Sequence, residues 1–332
     1  MTNKNNTYPS LNQRIPTKKR KSKYYAVRND GTSFPLGESE EKTYINSQKE
    51  IIQTNQTSTK TLKKYDYFTE EDKPMLDKHV PDNFTSNARH IMNLPIFSVE
   101  SKRIKDNIIE HSFIEKGIKY HLKVINNDKL GIADQRDGDI VRYALTYIMY
   151  NYKNYGKLTD NVQFSQYELL KEIKGNVTKH DYEWLQDAIF RLTSTIYVTN
   201  LWEENPLETY SGNLVNISFS NHPTLKKRQI KLKFNRKPLE FLINAGILSI
   251  DRQILKESSN LRKKLLELVQ SHMGKDNVWQ IKVKKLSDKC GYKGSIKAFN
   301  KNLKRLDLPY QIERKSNLQK EQIIHFSKVE NK

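Results

Sequence analysis

Lys297, Asn300, Lys301, Lys304 and Arg305 lie within one short stretch of chain and share one chemistry, the recognition of nucleic acid. An ammonium or guanidinium neutralises phosphate or donates to the O6 and N7 of guanine, and an amide such as Asn300 matches the donor–acceptor edge of adenine. Spacing shows how these groups are held. Ile296, Phe299, Leu303 and Leu306 recur at steps of 3, 4 and 3, the period of one buried helical face, which leaves the polar set to solvent. Just upstream, KCGYKG supplies two glycines for a sharp turn between helices. Lys293 and Ser295 sit at the helix start, where free N–H groups assist phosphate contacts, and Lys282, Lys284 and Lys285 flank the groove. Strand, short helix, turn and lysine-rich helix make a helix-turn-helix, and DNA is the expected partner.

The charge pattern agrees. The 332 residues carry 58 basic and 38 acidic side chains, net +20, a surplus that favours a polyanion. Residues 1–64 hold 13 basic and 5 acidic groups, net +8, and residues 278–332 hold 14 and 5, net +9. Residues 156–212 hold 5 and 9, net −4. No apolar run could span a bilayer, and MTNKNNTYPSLNQ lacks a signal-peptide core. The single cysteine, Cys290, excludes an intramolecular disulfide and a cysteine-based zinc site within one chain. A cytoplasmic protein with no membrane role follows as the expectation.

Residues 1–85 show no sustained period and are rich in Asn, Thr, Ser, Gln and Lys, so they read as a disordered basic tail with a patch at 17–23. Order is expected from near Ala88, with NLPIFSV and IKYHLKVI as early strands. Asp139 is the expected cap of a helix with Ile140, Val141, Ala144, Leu145, Ile148 and Met149 inward. A short strand VQFS follows, then a helix capped by Ser165, then a longer helix with Leu185, Ala188, Ile189 and Leu192 inward. TIYVTNLW, LVNISFS and RQIKLKF alternate with period two. That order predicts an N-terminal winged helix over 86–236, with Lys226, Lys227 and Arg228 in a basic wing. Its second helix exposes Asp181, Glu183 and Asp187, so Lys179 and Arg191 are expected to make peripheral phosphate contacts at most.

The pattern returns over 237–330. KPLEFLINAG forms a short helix with Pro238 in its first turn and Gly246 past its end. SSNLRKKLLELVQSHMG buries Leu261, Leu265, Leu268 and Val269, and the helix-turn-helix and a hairpin of YQIERK and QIIHFSK follow. The fold class is α+β: two tandem winged helices behind a disordered basic tail.

NLPIFSV, DGDIVRYALTYIM (137–149), the stretch 164–200, ILSIDRQIL (247–255) and the stretch 279–312 together resemble the replication initiator protein A family of plasmid replication initiators. The resemblance covers roughly residues 89–326. It implies binding of double-stranded DNA at plasmid origin repeats, opening of a nearby A·T-rich segment, recruitment of the host replicative helicase or its loader, and autorepression. It also implies a monomer–dimer equilibrium, with the C-terminal winged helix reading sequence and the N-terminal one supplying backbone contacts and dimerisation.

Enzyme readings find no support in the residues. The eight histidines form no His-hydrophobic-His pair for a nicking metal, and no Gly-x4-Gly-Lys-Ser/Thr loop is present. Asp137-Gly138-Asp139 reads as a helix cap rather than a metal site, and Cys290 as a turn residue rather than a nucleophile. No catalytic residue, cofactor or metal is expected. The competing functions are a winged-helix transcriptional regulator without replication activity and a nonspecific DNA-coating protein.

Overall fold

The computed structural model describes residues 25–27, 33–35, 64–69, 71, 86–100, 108–126, 129–221, 228–273, 277–316 and 322–328. The chain divides into two compact units, Met1–Ser58 and Thr59–Lys332. In the first, β1 (Tyr25–Val27) and β2 (Ser33–Pro35) pair antiparallel, which departs from a tail without any structure. The basic patch at 17–23 lies outside the described residues.

In the second unit, order begins before Ala88. Tyr67 bridges to Leu158 and its hydroxyl donates to Glu240 at 2.9 Å, while Tyr65 meets Tyr152 edge-on. Three aromatic side chains, Tyr65, Tyr67 and Phe68, lying against a folded body carry no periodicity, so the sequence pattern misses them. β3 (Ser86–Ala88) then runs into α1 (Arg89–Asn93). NLPIFSV is not a strand: beyond one bridge, Ser98 to Asp134, it is irregular. Its apolar residues are divided between two cores, Leu94, Ile96 and Phe97 in one and Val99 in the other. A strand with one buried face cannot serve both.

β4 (Ile108–Glu115) and β5 (Ile118–Ile125) form a hairpin whose turn residues, Lys116 and Gly117, have φ of 49° and 79°. Positive φ at both central positions is the two-residue turn that matches strand twist. α2 (Gly138–Tyr155), β6 (Asn161–Ser165), α3 (Gln166–Lys174) and α4 (Lys179–Ser194) follow. Then come β7 (Ile196–Thr199), β8 (Tyr210–Gly212), β9 (Val215–Asn221), β10 (Arg228–Phe234) and α5 (Arg236–Asn244). One sheet has the order β4-β5-β7-β8 and a second β6-β10-β9.

Helix starts show why these segments form. Ser165 caps α3 reciprocally: its hydroxyl accepts the Glu168 N–H at 3.1 Å and the Glu168 carboxylate accepts the Ser165 N–H at 3.2 Å. The inward residues expected of α4 are all buried, each contributing about 1.5–3 kcal/mol as its apolar surface leaves water. For α2 the expected cap is wrong. The N-cap position is Asp137, whose side chain makes no cap bond; Asp134 shapes the turn ahead of it, its Oδ1 accepting the N–H groups of Arg136 and Asp137 at 2.9 and 3.0 Å, and Asp139 is fully buried inside the first turn. Gly138 is required there, because a Cβ would lie 2.5 Å from the Phe97 ring.

β11 (Ile247–Ser249) pairs antiparallel with β3, a match the sequence does not advertise. After a 3-10 turn at Arg252–Lys256 come α6 (Asn260–Met273), β12 (Val278–Lys282), α7 (Val283–Cys290) and α8 (Ile296–Arg305). β13 (Tyr310–Ser316) and β14 (Gln322–Lys328) close a sheet of order β12-β14-β13. Helix, strand, helix, helix and hairpin thus occur twice, as α2-β6-α3-α4-β9-β10 and α6-β12-α7-α8-β13-β14. In both sheets the last strand lies in the middle.

The division between the halves is not at 236/237. Leu239, Phe241, Leu242 and Ile243 of α5 belong to the first core, while Met92 of α1 and Val99 belong to the second. Where the halves meet, a set of charges is buried. Arg142 of α2 lies 2.6 Å from Glu267 of α6 and 3.1 Å from Asp139, and Lys263 also pairs with Asp139. Lys264 donates to the carbonyls of Ile91 and Leu94 at 2.8 and 2.7 Å.

Candidate nucleic-acid interface

α7 ends at Gly291, whose left-handed backbone (φ 66°) turns the chain toward α8. A side chain is doubly disfavoured there, since a Cβ would also meet Pro95 at 2.7 Å. Among the described residues Gly294 shows no positive φ, so one glycine, not two, makes the turn. Cys290 is buried beside it, and burial pushes its thiol up to about 12, so it stays protonated at neutral pH. Ser295 caps α8, its Oγ accepting the Ala298 N–H at 3.2 Å.

α8 buries Phe299 and Leu303, as its spacing predicts. Ile296 departs from that face: it is 39 % exposed, and Leu306 lies just past the helix, half-buried. Between α7, α8 and the β13–β14 hairpin runs an open groove of about 1370 Å³. Among the described residues its walls carry eight basic side chains, Lys282, Lys284, Lys285, Lys297, Lys301, Lys304, Arg305 and Arg314, against one carboxylate, Asp288. Such a surface suits a polyanion longer than a single small ligand.

The structure brings most of the predicted residues together here. Lys284, Lys285, Ser295, Lys297, Asn300, Lys301, Lys304 and Arg305 all line the groove. Lys293 does not, and its backbone N–H, expected to be free for phosphate, donates to Glu100 at 2.8 Å. Arg228 is exposed on β10, in the other half's sheet, and Lys226 and Lys227 lie outside the described residues. Arg191 is withdrawn as a phosphate contact. Its guanidinium grips Asp137 through two bonds of 2.6 and 2.8 Å.

Two groove residues were missed. Arg314 on β13 and Gln322 on β14 line the wall opposite α8, and Asn300 donates to Gln322 at 2.8 Å. The hairpin itself was foreseen. Folding it back over α8 would have placed both residues, because alternation along YQIERK sets which side chains face one way.

The corresponding helix of the first half differs. α4 exposes Lys179, His180, Glu183 and Asp187, and Asp181 accepts from the Thr178 hydroxyl and N–H at 2.7 and 2.8 Å. Those bonds, the hydroxyl's first, hold the Asp181 carboxyl below its usual range.

A family model described as "Replication initiator protein A" matches residues 86–311. A protein of Wigglesworthia glossinidia brevipalpis, described as "Putative replication protein", is 28% identical over 281 residues, covering 79% of this chain and 96% of its own. Among solved structures, domains 2 and 3 of RctB superpose with a TM-score of 0.50 at 13% identity, over 73% of this chain and 99% of theirs. At that identity the likeness concerns the fold alone, a mixed helix-and-sheet architecture. The family match spans the first helix-and-hairpin set and the second as far as the start of β13, with both groove-lining helices inside it, and on it the chain belongs to the replication initiator protein A family.

Proposed function

We propose that this chain starts plasmid replication by binding repeated duplex sites at an origin through two tandem winged helices. In this reading α7 and α8 form the helix-turn-helix of the C-terminal winged helix, α8 enters the major groove, and β13–β14 is its wing. α3, α4 and β9–β10 form the N-terminal counterpart. The observation that carries the reading is the groove, with eight cations against one carboxylate among the described residues.

Division of labour within α8 follows from chemistry. Lys297, Lys301, Lys304 and Arg305 can only donate, so they neutralise phosphates or read guanine, whereas Asn300 also accepts and matches adenine. The N-terminal winged helix, with Glu183 and Asp187 on α4, keeps that helix out of the major groove and contributes backbone contacts and a dimer surface. Arg228 is retained as a backbone contact from β10. Bending across adjacent sites, at a cost on the order of 1–6 kcal/mol, destabilises the neighbouring A·T-rich segment. The host helicase or its loader supplies the energy for unwinding. No catalytic residue is assigned, and autorepression uses the same DNA-binding surface.

The test selects duplexes from a randomised library with the full chain, then places the selected motif beside this gene on a plasmid without another origin. A recurrent motif and plasmid maintenance are expected. A motif without maintenance would favour a transcriptional regulator, and no enrichment at all would favour nonspecific coating.

A further inference from the structure

We propose that a second phosphodiester-binding surface lies beside α7, where Lys285 and Lys289, one helical turn apart, and Arg89 at the start of α1 gather around His272 near the end of α6. The proposal rests on the groove being a DNA site, and it extends the path of the same duplex beyond that groove.

Elsewhere in this protein the buried cations are matched. Arg142 has Glu267 and Asp139, Lys263 has Asp139, Arg191 has Asp137, and Lys264 has two carbonyl oxygens. Lys289 is half-buried, yet the charges acting on it give no such match. Burial first and then Lys285 lower its pKa, and only the buried Cys290 opposes them. His272 responds to Lys289, Arg89 and Lys285, and His111 of β4 to Lys289 and Lys264, again with no carboxylate among the described residues acting on either. Burial and these cations push both imidazoles down to about 4, so both are neutral at pH 7.

Like charges gathered from three elements repel one another, and a half-buried ammonium loses hydration as well. Such a cluster is stabilised when an anion arrives from outside. The His272 ring at its centre is held in place, because it stacks on Trp279 at 4.7 Å and 12°, and Trp279 stacks in turn on Phe326. Continuity selects duplex phosphate over an acidic protein segment. Lys285 lines the groove and also belongs to the cluster, so a duplex leaving the groove past α7 runs onto Lys289 and Arg89.

Each neutralised phosphate adds about 0.9 to the slope of log affinity against log salt. The full chain and an Arg89→Gln/Lys289→Gln variant are therefore titrated with duplexes of about 12 bp and about 30 bp over a range of KCl, the shorter spanning little more than one helical turn. The expected result is a slope about 2 smaller for the variant on the long duplex, no change on the short one, and unchanged thermal unfolding. Lys289→Arg, which keeps the charge, should restore its share of the slope. An unchanged slope on the long duplex overturns the proposal and leaves the cluster to a protein partner. Equal losses on both duplexes also overturn it, by placing these residues within the groove's own contact. If the unmodified chain binds neither duplex, the groove reading fails first and this one with it.

Discussion

The groove beside α8 and the junction between α2 and α6 are built from the same side chains and use them oppositely. At the junction Arg142, Lys263 and Lys264 are fully buried, and each meets a carboxylate or a carbonyl. In the groove Lys297, Lys301 and Lys304 stand in solvent, with Asp288 the one carboxylate on the walls among the described residues. A matched buried charge fixes how elements meet, since removing one partner strands the other. An unmatched exposed charge adds little to folding and is available to an outside anion. Pairing, rather than residue type, separates structural from functional charge here.

The largest effect should come from breaking the junction. Arg142→Ala leaves Glu267 buried without its cation, while Asp139 keeps Lys263, and is expected to lower unfolding free energy by about 3–5 kcal/mol. Denaturant unfolding measures this; a loss below about 1 kcal/mol would mean that water or rearrangement replaces the guanidinium. Next, Lys301→Glu with Lys304→Glu should weaken duplex binding by about 100-fold or more at low salt. The thermal midpoint should barely move, and binding by fluorescence anisotropy that survived the change would put the DNA on another face.

A third test uses pH. Burial raises Asp137 and Asp139 to about 6, against the opposing pull of Arg191 on the first and of Lys263 and Arg142 on the second. A carboxyl raised in the folded state stabilises below its unfolded pKa, near 4, and that contribution is lost as pH rises through about 6. Unfolding free energy of the unmodified chain minus that of Asp137→Asn should therefore fall between pH 4 and 6 and level off above it. A flat difference would show that Arg191 fully offsets burial. The smallest effect is expected from Glu183→Lys with Asp187→Lys on α4, a gain of about two- to fivefold in nonspecific duplex affinity. No gain would place α4 away from the DNA path.

Local pattern predicted the helices of both halves and their hairpins well. Ser165, the inward face of α4, and Phe299 and Leu303 of α8 follow from period and capping, which depend on neighbours a few residues away. What escaped depends on distant partners. NLPIFSV is alternately apolar in part yet divided between two cores, Asp139 answers Lys263 rather than its own helix end, and α5 packs backward into the first half. The groove was half-legible: α8 announced its lysines, while Arg314 and Gln322 became part of the site only once the hairpin was folded against it.

The pairing of Ala88 with Ile247 bears on how the protein is made. A ribosome delivers β3 long before β11, so the opening strand of the first half must wait unpaired while most of that half emerges. Contacts so distant along the chain form late and slow folding. A released chain that ends before Ile247 should thus be cut by proteases near β3, and one that continues past Ser249 should be protected there.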